Sequence, residues 1–245
     1  MPAARTPKVI RSILAYDVKC GKHQQLKKAM QRDLFATSEQ QRPIFLGQQA
    51  AVLKGFALAQ SEQLWQAIQQ VVAVAPWRQL HTPGGRPMSV RTSNCGDWGW
   101  HSDRRGYRYV AQDPLTALPW PALPACFLQL AQDAARQLDF HNYQPDACLL
   151  NSYRCGTRMG LHQDRDEADL SAPIVSVSLG LPAEFLWGGL RRNDRSEKIM
   201  LEHGDVVVWG GVDRLRFHGV KKVVAGEHPL LGEQRINLTF RQAKS

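Results

Sequence analysis

Apolar residues recur along this chain with two different periods. In the first half they return every three or four positions, as on a helix with one buried face. Leu64, Ile68, Val71, Val72 and Ala75 share such a face over 62–75, and Pro76, which lacks an N–H, ends it. Leu26, Met30 and Leu34 mark a weaker helix over 21–35. Phe127, Leu130, Ala131, Ala134 and Leu138 mark a third, with Pro124 suited to its first turn. A short apolar run over 52–56 reads as a strand. After Ala147 the helical period disappears. Short apolar or alternating runs, separated by Gly, Pro and Asp, take over at 148–153, 174–179, 184–187, 198–201, 205–209, 215–220 and 235–241. Strands at that spacing predict a sandwich or jelly roll, so the expected fold is mainly β with flanking helices.

One segment fits neither period. Over 82–110, glycines and Arg86, Arg91, Arg104, Arg105 and Arg108 are interleaved with Trp98, Trp100, Tyr107 and Tyr109, which suggests a twisted hairpin or lid. The 114–124 stretch, rich in proline, reads as an ordered connector.

Composition narrows the class. A chain of 245 residues suits one domain with a sizeable core. No apolar run approaches the roughly 18 residues of a membrane span. The N-terminus lacks the apolar core of a secretory signal. Cys20, Cys95, Cys126, Cys148 and Cys155 form no CxxC pair, which argues for free thiols and a cytoplasmic location. The net charge of +9 is unevenly placed: Arg5, Lys8, Arg11, Lys19, Lys22, Lys27, Lys28 and Arg32 face only Asp17, while the rest is close to neutral. Residues 1–32 are therefore a basic extension, disordered or a single helix, preceding one domain over 33–245. A solvated extension or a start at Met30, a nucleic-acid tether and a targeting peptide are the readings open for it.

Candidate chemistry concentrates at 151–167, NSYRCGTRMGLHQDRDE. A strand, a turn at Cys155-Gly156 and a returning strand would put Asn151 with Tyr153, and His162 with Asp164, on faces that look into one cavity. A neutral imidazole beside a carboxylate suits Fe(II), and a second His would complete the 2-His-1-carboxylate triad of non-haem iron oxygenases. Two other His-x-Asp pairs, His101/Asp103 and His203/Asp205, lack a supporting polar pair on the preceding strand. For the third ligand, His218 on the 215–220 strand is the better candidate, and His228, beside Pro229, the rival. On the 235–241 strand, Ile236, Leu238 and Phe240 alternate with Arg235, Asn237, Thr239 and Arg241. The polar face would suit a dicarboxylate, because each guanidinium can pair a carboxylate through two parallel hydrogen bonds.

With these pieces assembled, the chain resembles the AlkB family of Fe(II)- and 2-oxoglutarate-dependent dioxygenases. The resemblance is carried by TPGG at 82–85, MSV at 88–90, NCG at 94–96, GYRY at 106–109, PWPALP at 119–124, QPDACLLNSY at 144–153, LHQDRDE at 161–167, GGLRRND at 188–194, EHGDVVVWGG at 202–211 and RINLTFRQA at 235–243. It implies a double-stranded β-helix core over 147–241 under a nucleotide-recognition lid over 82–110. It implies His162, Asp164 and His218 as the catalytic iron ligands, and Asn151, Ser152, Tyr153, Arg235, Asn237 and Arg241 around 2-oxoglutarate, with the two arginines taking its two carboxylates. Trp100, Tyr107, Arg108 and Tyr109 would stack the flipped base and grip its phosphates, with Asp166 and Arg192 as further substrate contacts. The implied activity, with O2 as co-substrate, is oxidative demethylation of 1-methyladenine- and 3-methylcytosine-type bases in single-stranded DNA, with RNA and duplex DNA as further substrates, by a monomer without a membrane partner. An oxygenase acting on protein or a small molecule, and a non-catalytic nucleic-acid-binding module, are the competing expectations. The chain departs from the family pattern at Arg154-Cys155-Gly156, where a proline is expected before the glycine.

Overall fold

The structure is a computed structural model and describes residues 42–244. The 21–35 helix and the basic extension lie outside those residues. Among the described residues the chain forms β1 (Ile44–Phe45), β2 (Ala50–Leu53), α1 (Ser61–Val74), β3 (Arg91–Gly96), β4 (Gly99–Asp103), β5 (Gly106–Val110), α2 (Ala125–Arg136), β6 (Ala147–Tyr153), β7 (Met159–His162), β8 (Ile174–Gly180), β9 (Ala183–Trp187), β10 (Glu197–Leu201), β11 (Val206–Trp209), β12 (His218–Val220) and β13 (Arg235–Arg241). Strands of the major sheet run in the order β1-β2-β11-β8-β13-β6-β3, and those of the minor sheet in the order β10-β9-β12-β7. The neighbours are antiparallel throughout, as the jelly-roll expectation requires.

The alternation along each strand assigns the two faces of the major sheet. Cys148, Leu150, Ile236, Leu238 and Phe240 turn to one face and pack with Leu64, Ile68 and Val71 of α1 and Phe127, Leu130 and Ala134 of α2. Both helices therefore cover the outside of that sheet. A second apolar cluster, with Phe185, Trp187, Trp209, Val207 and Val220, fills part of the space between the sheets. What remains of that space is the cavity.

Three expectations are corrected. The 52–56 strand begins at Ala50 and ends at Leu53, because the chain turns through Gly55, whose φ of 63° is the left-handed region that glycine adopts without strain. The 215–220 strand starts only at His218, since Arg216 N–H still closes a turn on Asp213 O at 3.1 Å. The hairpin expected around Cys155-Gly156 is absent: β6 lies between β13 and β3 in the major sheet, whereas β7 pairs with β12 in the minor one. Residues 154–158 cross from sheet to sheet, so the two walls face each other.

His203 and His228 form a pair outside the cavity, with ring centroids 4.2 Å apart. His203 Nδ1 accepts the Gly180 N–H at 3.0 Å, and His228 Nδ1 accepts those of Leu230 and Leu231 at 3.2 and 3.4 Å. Only the neutral rings can accept these bonds. Burial, and then the facing His228, push His203 down against the upward pull of Asp205, and burial pushes His228 down. A lowered folded pKa stabilises the fold above the unfolded value of about 6.5, and that contribution is lost as pH falls through the lowered values. Melting temperature is therefore expected to fall between about pH 7 and pH 5. His228→Asn retains an acceptor without the titration, so melts over that range should be flatter. An equal pH dependence in the variant refutes the account.

Candidate metal centre and cofactor cavity

The space between the sheets is a cavity of about 1460 Å3, above the roughly 300–1,000 Å3 of a typical small-molecule pocket. It can hold more than one bound group. On its minor-sheet wall, β7 and β12 are in register with His162 directly opposite His218. Asp164, just beyond the end of β7, turns in toward both, with its carboxylate 3.6 Å from His162 Nε2 and 3.7 Å from His218 Nε2. One ligand atom from each residue lies within 4.8 Å of the others, and among the described residues this is the one such cluster.

Local bonding prepares both imidazoles as ligands. His162 Nδ1–H donates to Gly160 O at 2.9 Å and His218 Nδ1–H to Arg216 O at 3.0 Å. Since a carbonyl can only accept, Nδ1 carries the proton, so in the neutral tautomer the lone pair sits on Nε2, the nitrogen that faces Asp164. Burial and the neighbouring His162 push His218 down to about 4, so it is neutral at physiological pH. For Asp164, burial opposes ionisation, but the charge and hydrogen bonds of Arg241 outweigh it and hold the carboxyl well below the usual range. Two imidazole nitrogens and a carboxylate fit a divalent ion with open positions. His228, the rival third ligand, lies with His203 outside this cluster.

The major-sheet wall is polar for a topological reason. In the β13·β6 register Arg235 faces Tyr153 and Asn237 faces Asn151, so four of the expected cofactor residues share one patch. Ser176 and Ser178 of β8 extend it, bonded to Asn237 Nδ2 at 2.7 Å and to Arg235 Nη2 at 2.9 Å. Arg235 is 1% exposed, with its guanidinium carbon 5.0 Å from the Tyr153 ring centroid. Its Nε and Nη1, and Asn151 Oδ1, are buried with no hydrogen-bond partner among the described residues. A buried guanidinium with idle donors is costly, and a carboxylate seated there supplies the missing acceptors. The patch therefore fits 2-oxoglutarate.

Of the other two residues expected around the cofactor, one lies off the patch and one lines the cavity while pairing with carboxylates. Ser152 sits on the opposite face of β6 from Asn151 and Tyr153, with Oγ 3.5 Å from Gln234 Oε1, because strand neighbours alternate. Arg241 lines the cavity but already pairs with Asp164 Oδ2 at 2.7 Å and Glu167 Oε1 at 3.3 Å. It is engaged with protein carboxylates, whereas Arg235 has donors to spare.

Within the segment expected to form a lid, β4 and β5 make a hairpin closed through Gly106 at φ 107°. Trp100 and Tyr107 stack with centroids 5.5 Å apart and planes 15° apart, and both line the cavity. Trp100 Nε1–H donates to Asp166 Oδ2 at 3.0 Å. Arg192 is on the cavity wall as well, with Nη1 on Leu161 O at 3.0 Å. Arg108 and Tyr109 depart from expectation. Arg108 forks onto Asp103 of its own hairpin, with both nitrogens at 2.7 Å, and is not on the cavity wall. Tyr109 is buried and its hydroxyl donates to Glu167 Oε1 at 2.6 Å, so its ring is not a platform for a base.

A triad facing an under-satisfied arginine across a jelly roll is the arrangement of a 2-oxoglutarate-dependent non-haem iron oxygenase. Comparison with known proteins agrees with that class. A family model described as the 2OG-Fe(II) oxygenase superfamily matches residues 49–241. Over 212 residues the chain is 53% identical to the alpha-ketoglutarate-dependent dioxygenase AlkB of Salmonella typhimurium, covering 86% of this chain and 97% of that protein, and the Escherichia coli AlkB gives the same figures. The solved structure of OsALKBH1 superposes with a TM-score of 0.70 at 29% identity, over 82% of this chain and 99% of that one. The chain belongs to the 2OG-Fe(II) oxygenase superfamily and, within it, to the AlkB dioxygenases, enzymes that use Fe(II), 2-oxoglutarate and O2.

Proposed function

We propose that this dioxygenase removes methyl groups from N-alkylated bases, of the 1-methyladenine and 3-methylcytosine type, in single-stranded DNA, with RNA and duplex DNA as further substrates. The observation that carries the reading is the Trp100–Tyr107 stack on the wall of the triad's own cavity, tied to Asp166 only two residues from Asp164. An aromatic platform accepts any base, and a base must leave its stack to reach a buried centre. Alkylation of the pairing edge lowers the cost of extrusion, which favours single strands. Charge supports the same substrate: Arg86, Arg158, Arg165 and Lys222 line the cavity, make no ion pair with a carboxylate among the described residues, and would attract phosphates. The mouse relative named nucleic acid dioxygenase ALKBH1, 33% identical over 54% of this chain and 32% of its own length, points the same way.

In this reading His162, Asp164 and His218 hold Fe(II), which with 2-oxoglutarate and O2 supplies the oxidising power for C–H hydroxylation. Arg235 and Tyr153 grip one carboxylate of 2-oxoglutarate, and Asn151, Asn237 and Arg241 complete its seat. Trp100, Tyr107 and Asp166 present the base, and Arg192 borders it. The hydroxylated N-methyl group then leaves as formaldehyde, its hydroxyl proton returning to the base nitrogen. The lid, narrowed from 82–110 to the β4·β5 hairpin because β3 pairs with β6 in the major sheet, is part of the proposal, as are the single domain over 33–245, a monomeric state and a cytoplasmic location. No helix among the described residues is long and apolar enough to cross a membrane.

The test is formaldehyde release from 1-methyladenine and 3-methylcytosine oligonucleotides, assayed with and without Fe(II) and 2-oxoglutarate. Release is expected only with both, and faster from single strands than from duplex. Succinate without formaldehyde across the panel would favour a protein or small-molecule substrate.

A further inference from the structure

Two carboxylates that follow Asp164 are each taken by one strand of the lid. Trp100 and Tyr109 are direct partners across β4 and β5. Trp100 Nε1–H reaches Asp166, and the Tyr109 hydroxyl reaches Glu167. The two carboxylates differ in their surroundings. Asp166 is exposed, whereas the side chains of Glu167 and Arg214 are each 2% exposed.

Glu167 is the hub of a buried network. Its Oε2 accepts from Arg214 Nη2 at 2.9 Å. The same guanidinium donates through Nη1 to Asp164 O at 2.6 Å and through Nε to Ala172 O at 3.0 Å. Arg241, beside Glu167 Oε1, donates to Asp164 Oδ2. One carboxylate therefore connects the lid to both the backbone and the side chain of Asp164. Two arginines and a glutamate are buried together only at a large desolvation cost, which complementary bonding at every group offsets. Neither metal holding nor the cofactor patch uses Glu167, Arg214 or the Tyr109 hydroxyl.

We infer that Glu167 is a positioning residue: through Arg214 and Arg241 it sets the course of the Asp164 segment, and through Tyr109 it ties that segment to the lid. The inference rests on the reading that His162, Asp164 and His218 hold the metal. Two consequences are separable. The Arg214 and Arg241 side of the hub acts on metal holding, and the Tyr109 side acts on how well oxidation is coupled to a substrate held under the lid.

The experiment compares Glu167→Gln and Tyr109→Phe with the wild-type chain. It reads Mn(II) affinity by calorimetry, the melting temperature without metal, and succinate formed per formaldehyde released from methylated oligonucleotide. Glu167→Gln is expected to weaken Mn(II) binding by roughly 10- to 100-fold, the effect of losing an outer-shell partner. Tyr109→Phe keeps both arginine bonds, so its Mn(II) affinity should stay within about threefold of wild type while succinate per formaldehyde rises at least about threefold. Wild-type Mn(II) affinity in Glu167→Gln, or a wild-type ratio in Tyr109→Phe, overturns the inference. So does an equal loss of Mn(II) affinity in Leu138→Ala, a core variant that lowers the melting temperature without touching the segment. If the wild-type chain consumes 2-oxoglutarate but releases no formaldehyde, the nucleic-acid reading fails, and the Mn(II) arm still decides the role of Glu167.

Discussion

Replacing Arg235 with alanine is expected to raise the KM for 2-oxoglutarate by roughly 30- to several-thousand-fold, corresponding to the about 2–5 kcal/mol lost when one partner of a buried, hydrogen-bonded charge pair is truncated. The expectation comes from the idle Nε and Nη1 of a guanidinium that is 1% exposed and bonded through Nη2 to Ser178. Such a group is preorganised for a carboxylate. Lysine keeps the charge but not the planar fork, so Arg235→Lys should recover only part of the affinity. A stability measurement separates this role from a structural one. Arg235→Met removes the idle donors and fills similar space with apolar atoms, so the cofactor-free chain should melt no lower than wild type. Succinate formation against 2-oxoglutarate concentration gives the KM, and a value within about threefold of wild type in Arg235→Ala contradicts the assignment.

Loss of a triad imidazole should have the largest effect on turnover. In His162→Ala or His218→Ala, formaldehyde release is expected to fall by more than the roughly 10- to 100-fold associated with an outer-shell partner, because a direct ligand is gone. The two variants should differ in stability. His218 is 5% exposed and packs its ring 4.9 Å from the Trp209 centroid, so His218→Ala opens a cavity between the sheets. The side chain of His162 is 38% exposed and leaves no comparable void. His162→Ala is therefore the cleaner test. Turnover at the wild-type rate in that variant would remove the triad from the mechanism.

Much of this site was legible before folding because strands alternate. The polar face Arg235, Asn237, Thr239, Arg241 and the pairing of Asn151 with Tyr153 follow from a period of two, and the β13·β6 register places them together. The aromatic and glycine content of the lid was equally plain, and Gly106 does close a hairpin. Burial was less accessible. Tyr107 and Tyr109 look alike in the sequence, yet one is 47% and the other 7% exposed. The acidic pair Asp166-Glu167 was visible, but nothing local distinguished the carboxylate at the surface from the one beneath it. Arg214 carried no signal, because its partners lie 42 to 50 residues away.

What the sequence determined by itself was the two helices of the described residues, most strands of the two sheets, the polar and apolar faces of those strands, and the residue types able to hold Fe(II) and 2-oxoglutarate. Those are local properties, set by side-chain period and donor chemistry. The tertiary structure alone decided which strands become neighbours. It placed β6 and β7 in different sheets, set His218 opposite His162, turned Ser152 away from the cofactor patch and joined Tyr109, Glu167 and Arg214 under the lid. Register between distant strands depends on the packing of the whole sheet, and no short window of sequence contains it.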